Sequence, residues 1–235
     1  MDFAPEFTIP KMFQKAAVDF AEYKSQNKRL PNGDFEPILY RDMFQIAMDF
    51  GAGLLSIGVK REDKIGLISD NRAEWLQADI GLMGIGAIDV PRGCDATLSD
   101  LEKILSITEA EIVIAENNSQ VNKIVSIKDK LPSLKTIICF ENEIKPEVKE
   151  ACKSADVKLT FFSEICTEGK KYRADKPGAV EAEVEKGHGD DLATIIFTSG
   201  TTGTPKGVML THHNFLVQLD ELQERIFLNP GDVAL

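Results

Sequence analysis

The chain has 235 residues, 43% of them hydrophobic and 28% charged, with a formal net charge of −11. That length holds one large domain or two small ones, with an ordinary globular composition. So acidic a balance excludes a broad basic face for DNA or RNA, and no nucleic-acid partner is expected. A triphosphate remains admissible, because a local loop and a metal ion can offset the global field. Neither a secretory start nor an apolar run of bilayer length is expected from the sequence. Cys94, Cys139, Cys152 and Cys166 are widely spaced, and the histidines are His188, His212 and His213. The thiols therefore read as reduced cysteines of a cytoplasmic protein, without zinc.

Residues 1–34 read as an N-terminal extension with a helix. From Asp42 onward, Met43, Ile46, Ala47, Phe50, Leu54 and Ile57 recur on one helical face, and Gly58 is a natural stop. Ile65–Ser69 follows as a strand. Asn71 is the expected cap of the next helix, which turns Trp75, Ala78, Asp79 and Leu82 inward. Met43, Phe44, Phe50 and Trp75 are read as core and not as ligand contacts.

Further strands are predicted at Ala87–Val90, Glu111–Ala115, Thr136–Phe140 and Lys158–Phe162. With Ile65–Ser69 their starts recur about every 22–25 residues, the rhythm of βα units in a parallel sheet. Ser99 is the expected cap of a helix with Leu101, Ile104 and Leu105 inward. Another helix spans Val121–Leu131 and ends at Pro132. Residues 35–185 thus form a first α/β subdomain. Residues 174–191 break the rhythm with Pro177, Gly178, Gly187 and Gly189. Glu181, Glu183 and Glu185 alternate there, so a solvated connector is predicted, with an edge strand over 180–184 as the alternative. Residues 186–235 then begin a second subdomain.

Leu192–Phe197 is an apolar, β-branched run that enters a loop of Thr, Ser and Gly. A short apolar run, Val208–Leu210, follows. Glycines at 200, 203 and 207 let the backbone bend into an anion-binding nest. Thr198, Ser199, Thr201, Thr202 and Thr204 add hydroxyls, Pro205 stiffens the turn, and Lys206 supplies a mobile positive charge. The pattern differs from a Walker A loop, because Lys206 follows proline and precedes glycine, and a strand intervenes before the helix. Thr211 reads as the N-cap of that helix, with Phe215, Leu219, Leu222 and Ile226 inward. His212 and His213 fall in its first turn. The helix dipole disfavours a charged imidazole there, so neutral packing is expected.

Thr198–Gly207 (TSGTTGTPKG), followed by VMLTHHN, resembles the phosphate loop of the adenylate-forming superfamily. That superfamily includes acyl-CoA synthetases, coumarate ligases, luciferases and the adenylation domains of peptide synthetases. Tyr40-Arg41-Asp42, Ala52-Gly53-Leu54-Leu55, Gly58-Val59 and Lys64-Ile65-Gly66-Leu67 resemble the family's opening segment. Ser69-Asp70-Asn71-Arg72-Ala73-Glu74-Trp75 and Gly84-Ile85-Gly86-Ala87 extend the likeness, which covers roughly residues 35–235. Asp89-Val90-Pro91-Arg92-Gly93 resembles the bacterial long-chain fatty acid branch.

The resemblance implies an α/β fold, the N-terminal domain piece of the acyl-CoA synthetase-like architecture, with a mostly parallel sheet flanked by helices. It also implies an acid–thiol ligase that uses ATP and Mg2+ to make an acyl-adenylate from a fatty acid, then transfers the acyl group to coenzyme A. Thr198, Ser199, Gly200, Thr201, Thr202, Gly203, Thr204, Lys206 and Gly207 would hold the phosphates, and Thr198 would also reach the metal. The family's catalytic lysine, its Tyr-Gly-x-Thr-Glu segment and its ribose-binding Asp have no counterpart in these 235 residues. The expectation is therefore an N-terminal fragment without catalytic residues, inactive alone. Peripheral membrane association of the parent is compatible with the resemblance, and an unpaired sheet edge with apolar surface would allow a homodimer. Two alternatives stay open: a non-catalytic nucleotide-binding or interaction module, and another adenylating ligase, such as an aryl-CoA ligase or a peptide synthetase adenylation domain.

Overall fold

The structure, a computed structural model, describes residues 4–30, 32–198, 205–223 and 225–226. The first helix, α1 (Ile9–Asp19), starts at Thr8, whose hydroxyl accepts from Lys11 N. An antiparallel hairpin follows, β1 (Lys24–Arg29) with β2 (Phe35–Leu39), apart from the main sheet. The polar run KSQNKR has no buried side to alternate against, so sequence periodicity missed it.

α2 (Tyr40–Ser56) buries Met43, Ala47, Phe50 and Leu54 as expected, and Gly58 adopts φ +95° just beyond its end. The next units are β3 (Lys64–Ile68), α3 (Ala73–Gly84), β4 (Ile88–Arg92) and α4 (Leu98–Thr108). They continue through β5 (Ile112–Ala115), α5 (Asn118–Ser126), β6 (Thr136–Cys139), α6 (Pro146–Ser154) and β7 (Lys158–Phe161). Each predicted strand is present within a residue or two. The caps differ. Arg72, not Asn71, occupies the N-cap of α3 and makes no side-chain cap bond. Thr97, not Ser99, caps α4, because Asp100 at the third helical position completes a reciprocal capping box with it. Asn117 caps α5, which stops at Ser126, before a 3-10 turn at Lys128–Lys130.

α7 (Phe162–Asp175) and α8 (Ala179–Glu185) replace the expected connector, and the edge strand over 180–184 does not form. Its alternating glutamates mimic a strand, yet Val180 and Val184 share one helical face and are buried. β8 (Leu192–Thr198), β9 (Lys206–Thr211) and α9 (His212–Gln223) complete the order.

Among the described residues, seven strands form one sheet in the order β7-β6-β5-β3-β4-β8-β9, parallel throughout except for β8 with β9. Helices cover both faces. Ile65, Leu67, Ile114 and Ile138 face α2, α3, α7 and α8, whereas Ile68, Val113, Ile137 and Cys139 face α4, α5 and α6. This alternation is what a sheet buried on both faces requires. α2 and α7 cross closely: a Cβ at Gly53 would lie 2.0 Å from Ile165 O, and one at Gly169 would lie 1.7 Å from Asp49 O. Phe50 stacks on Phe162 at 4.6 Å beside the crossing. Arg173 Nη1 donates to Asp49 Oδ1 at 2.6 Å and its Nη2 to Glu181 Oε1 at 2.7 Å, joining α2, α7 and α8. No helix among the described residues is long and apolar enough to cross a membrane.

Candidate functional site

The loop expected to hold phosphate is closed at its base by the β8–β9 ladder. Thr198 stands opposite Lys206, Phe197 opposite Gly207 and Ile196 opposite Val208. Thr198 and Lys206 are both exposed, so a hydroxyl and an ammonium flank the two ends of the loop. Lys206 has no ion pair among the described residues. Ser199, Gly200, Thr201, Thr202, Gly203 and Thr204 lie outside the described residues.

Gly207 departs from the reason given for it by sequence. It sits within the ladder, and a Cβ there would come within 2.9 Å of Ile195 Cγ2 and 3.1 Å of Phe197 Cζ. Its smallness serves packing at the hairpin. Outer positions of the hairpin are apolar and uncovered among the described residues, Met209 at 64% exposure.

The far end of the hairpin is anchored. Thr211 caps α9, accepting from Asn214 N at 3.3 Å, as expected. His212 N donates to Asp191 O, and Asp191 Oδ2 accepts from Arg61 Nη1 at 3.2 Å. Arg61 Nη2 also donates to Glu183 O, linking β8 to α8. His212 is buried, and burial pushes its pKa down to about 4, against the opposing charge of Asp191. The packed imidazole expected from sequence is found, and its burial favours the neutral form. The inward face of α9 is not the expected one: Leu216 is fully buried and Phe215 packs on the core, while Leu219, Leu222 and Ile226 are exposed. His212 and Leu216 lie four residues apart and share the buried face.

Sequence reasoning did not single out the acid pair beneath this hairpin. Asp89 on β4 is 1% exposed and Asp79 on α3 is 7% exposed, and one oxygen of each has no hydrogen-bond partner among the described residues. Asp89 is in register with Thr194, whose Oγ1 donates to Asp89 O at 3.3 Å. Burial raises both carboxyls well above the ordinary range, and the charge of Asp89 raises Asp79 further. The available signal was a lone carboxylate inside an apolar strand, in the segment Ala87-Ile88-Asp89-Val90.

Residues 15–235 match the family model described as AMP-binding enzyme. A chloroplastic long-chain-fatty-acid–[acyl-carrier-protein] ligase of Arabidopsis thaliana is 32% identical over 201 residues, covering 84% of this chain and 27% of that protein. A long-chain-fatty-acid–CoA ligase of Xenopus laevis is 29% identical over 212 residues, covering 89% of this chain and 27% of that protein. The chain thus spans about a quarter of the length of these relatives. Among solved structures, the A domain of a carboxylic acid reductase from Segniliparus rugosus, in complex with AMP and a co-purified carboxylic acid, superposes with a TM-score of 0.74. The identity is 20%, covering 99% of this chain and 40% of that one.

Proposed function

The chain belongs to the AMP-binding enzyme family, and from that premise we propose that it supplies the phosphate-handling part of an ATP-dependent ligase joining a long-chain fatty acid to a thiol. The observation that carries this reading is the hairpin itself, which sets the Thr198 hydroxyl and the Lys206 ammonium opposite each other at the base of a Gly/Thr loop. In the reaction, the carboxylate attacks the α-phosphorus of ATP, an acyl-adenylate forms and pyrophosphate leaves. The acyl group then passes to the thiol. Such a first step asks the protein mainly for positioning and charge stabilisation.

Lys206 follows the negative charge that moves onto the departing pyrophosphate, and the amides of residues 199–204 hold its oxygens. Thr198 offers a hard hydroxyl oxygen of the type Mg2+ takes, and the bound ion would neutralise phosphate charge. The named relatives differ in their acceptor, coenzyme A in one and acyl carrier protein in another. Coenzyme A is the acceptor proposed for the protein that contains this chain.

The test is MgATP binding to the 235-residue chain by titration calorimetry. Lys206→Ala is expected to weaken binding at least tenfold, while the far-ultraviolet circular dichroism stays unchanged. Equal affinity in the two proteins would overturn the phosphate role of this loop.

A further inference from the structure

The main sheet reverses its order at β3, with β4 on one side and β5 on the other. In doubly wound sheets the loops leaving the carboxyl ends at such a reversal open a crevice that takes ligands. Three side chains with metal-ligating atoms meet at these ends. Asp70 follows β3, Cys94 follows β4 and Glu116 follows β5, and their donor atoms all lie within 4.8 Å of one another.

Backbone and hydroxyl groups hold the cluster in place. Glu116 Oε2 accepts from Asp70 N at 2.8 Å and from Ser69 Oγ at 3.0 Å. Asp70 Oδ1 accepts from Cys94 N at 2.9 Å. The Cys94 thiol donates to Glu116 Oε2 at 3.4 Å. A fourth candidate donor lies on α5, beside Cys94. Gln120 is only 5% exposed, its Nε2 donates to Cys94 O at 3.4 Å, and its Oε1 has no partner among the described residues. Lys123 Nζ donates to Cys94 O at 2.8 Å, which sets one positive charge beside the acidic group.

We propose that Asp70, Cys94, Glu116 and Gln120 Oε1 bind one zinc ion that ties together the loops after β3, β4 and β5. The thiol selects the metal: sulfur ligands favour zinc over magnesium or calcium, and four donors of mixed S and O type suit a tetrahedral ion. On binding, the Cys94 thiol releases its proton to solvent and an S–Zn bond replaces the S–H···Oε2 bond. Glu116 keeps its bonds to Ser69 and Asp70 N. Because the thiolate is the ligand, uptake releases one proton and strengthens as pH rises. The spacing in sequence concealed this set, because its members come from three separate βα loops.

The test uses Co2+ as a spectroscopic probe on the reduced 235-residue chain. A thiolate-to-cobalt absorption band should saturate at one equivalent and be bleached by Zn2+. Cys94→Ser should abolish the band, and Cys166→Ser, at a half-buried cysteine elsewhere, should retain it. Asp70→Asn should weaken Co2+ binding at least tenfold, and it tests the site even if Cys94→Ser perturbs folding. Lack of a saturable band, a band that survives Cys94→Ser, or unchanged affinity in Asp70→Asn would each overturn the proposal. None of these readouts involves nucleotide, so the outcome is independent of the phosphate loop.

Discussion

Replacing Gly169 by alanine tests the crossing of α2 and α7. The new Cβ would lie 1.7 Å from Asp49 O, where carbon and oxygen normally stay beyond about 3.4 Å. The obstacle is a backbone carbonyl inside a helix, so it cannot rotate aside as a side chain would. The helices must separate by roughly 1.5 Å, and with them the Phe50–Phe162 stack and the Arg173–Asp49 pair. Alanine gains up to about 1 kcal/mol in helix propensity over glycine. Overpacking costs about 1–3 kcal/mol, and loosening a pair whose carboxylate is only 2% exposed adds to that. The net expectation is a loss of about 2–4 kcal/mol, a large share of a typical domain's stability. Urea unfolding of the 235-residue chain, followed by circular dichroism and by the fluorescence of its single tryptophan, Trp75, measures it. A midpoint that stays level or rises would refute the close-crossing argument, because helix propensity alone would then have decided the outcome.

Three further outcomes are expected. Asp89→Asn should raise the melting temperature at pH 8 and matter least at pH 4. An acid whose folded pKa is raised loses stability as pH climbs through that pKa, and asparagine removes the loss; a variant that melts lower at pH 8 than the parent would contradict this. Arg173→Ala leaves Asp49 buried without its cation and should cost about 3 kcal/mol in urea unfolding, whereas a cost under about 1 kcal/mol would mark the pair as solvated. His212 has a depressed folded pKa, so its contribution should be full above its unfolded value near 6.5 and fade as pH falls toward 4. Its imidazole carbon signals should show the neutral form at pH 5.5, and a charged form at that pH would refute the burial argument.

The strands β3, β5 and β6 were legible as short apolar runs of the length a doubly covered strand needs, and β4 and β7 through the recurring spacing between helical segments. The β8–β9 hairpin was legible for another reason, since two apolar runs flank a loop of unusual composition. Local pattern misled elsewhere. In α8 the alternating glutamates carry a period of two, and only the two valines, four residues apart, record the helical face that packs. In α9 several apolar residues compete for the inward face, and the face that packs carries His212 and Leu216. Thr97 outcompeted Ser99 as a cap through its reciprocal bond with Asp100. The partnership of Asp79 with Asp89 was not legible, because it depends on which strand lies beneath which helix.

The hairpin that bears Lys206 enters the sheet through β4, and its contact residues, Asp89 and Thr194, are 105 positions apart. β3 and β4 meet across roughly two dozen positions. Closing the longer loop costs on the order of 1 kcal/mol more in chain entropy, before any docking contact is made. The order of assembly follows from that difference. The units from β3 to β7 can zip up from near neighbours, while the hairpin must wait for a finished β4 to dock upon. Ribosomal synthesis imposes the same order, since β8 and β9 emerge after the strands that receive them.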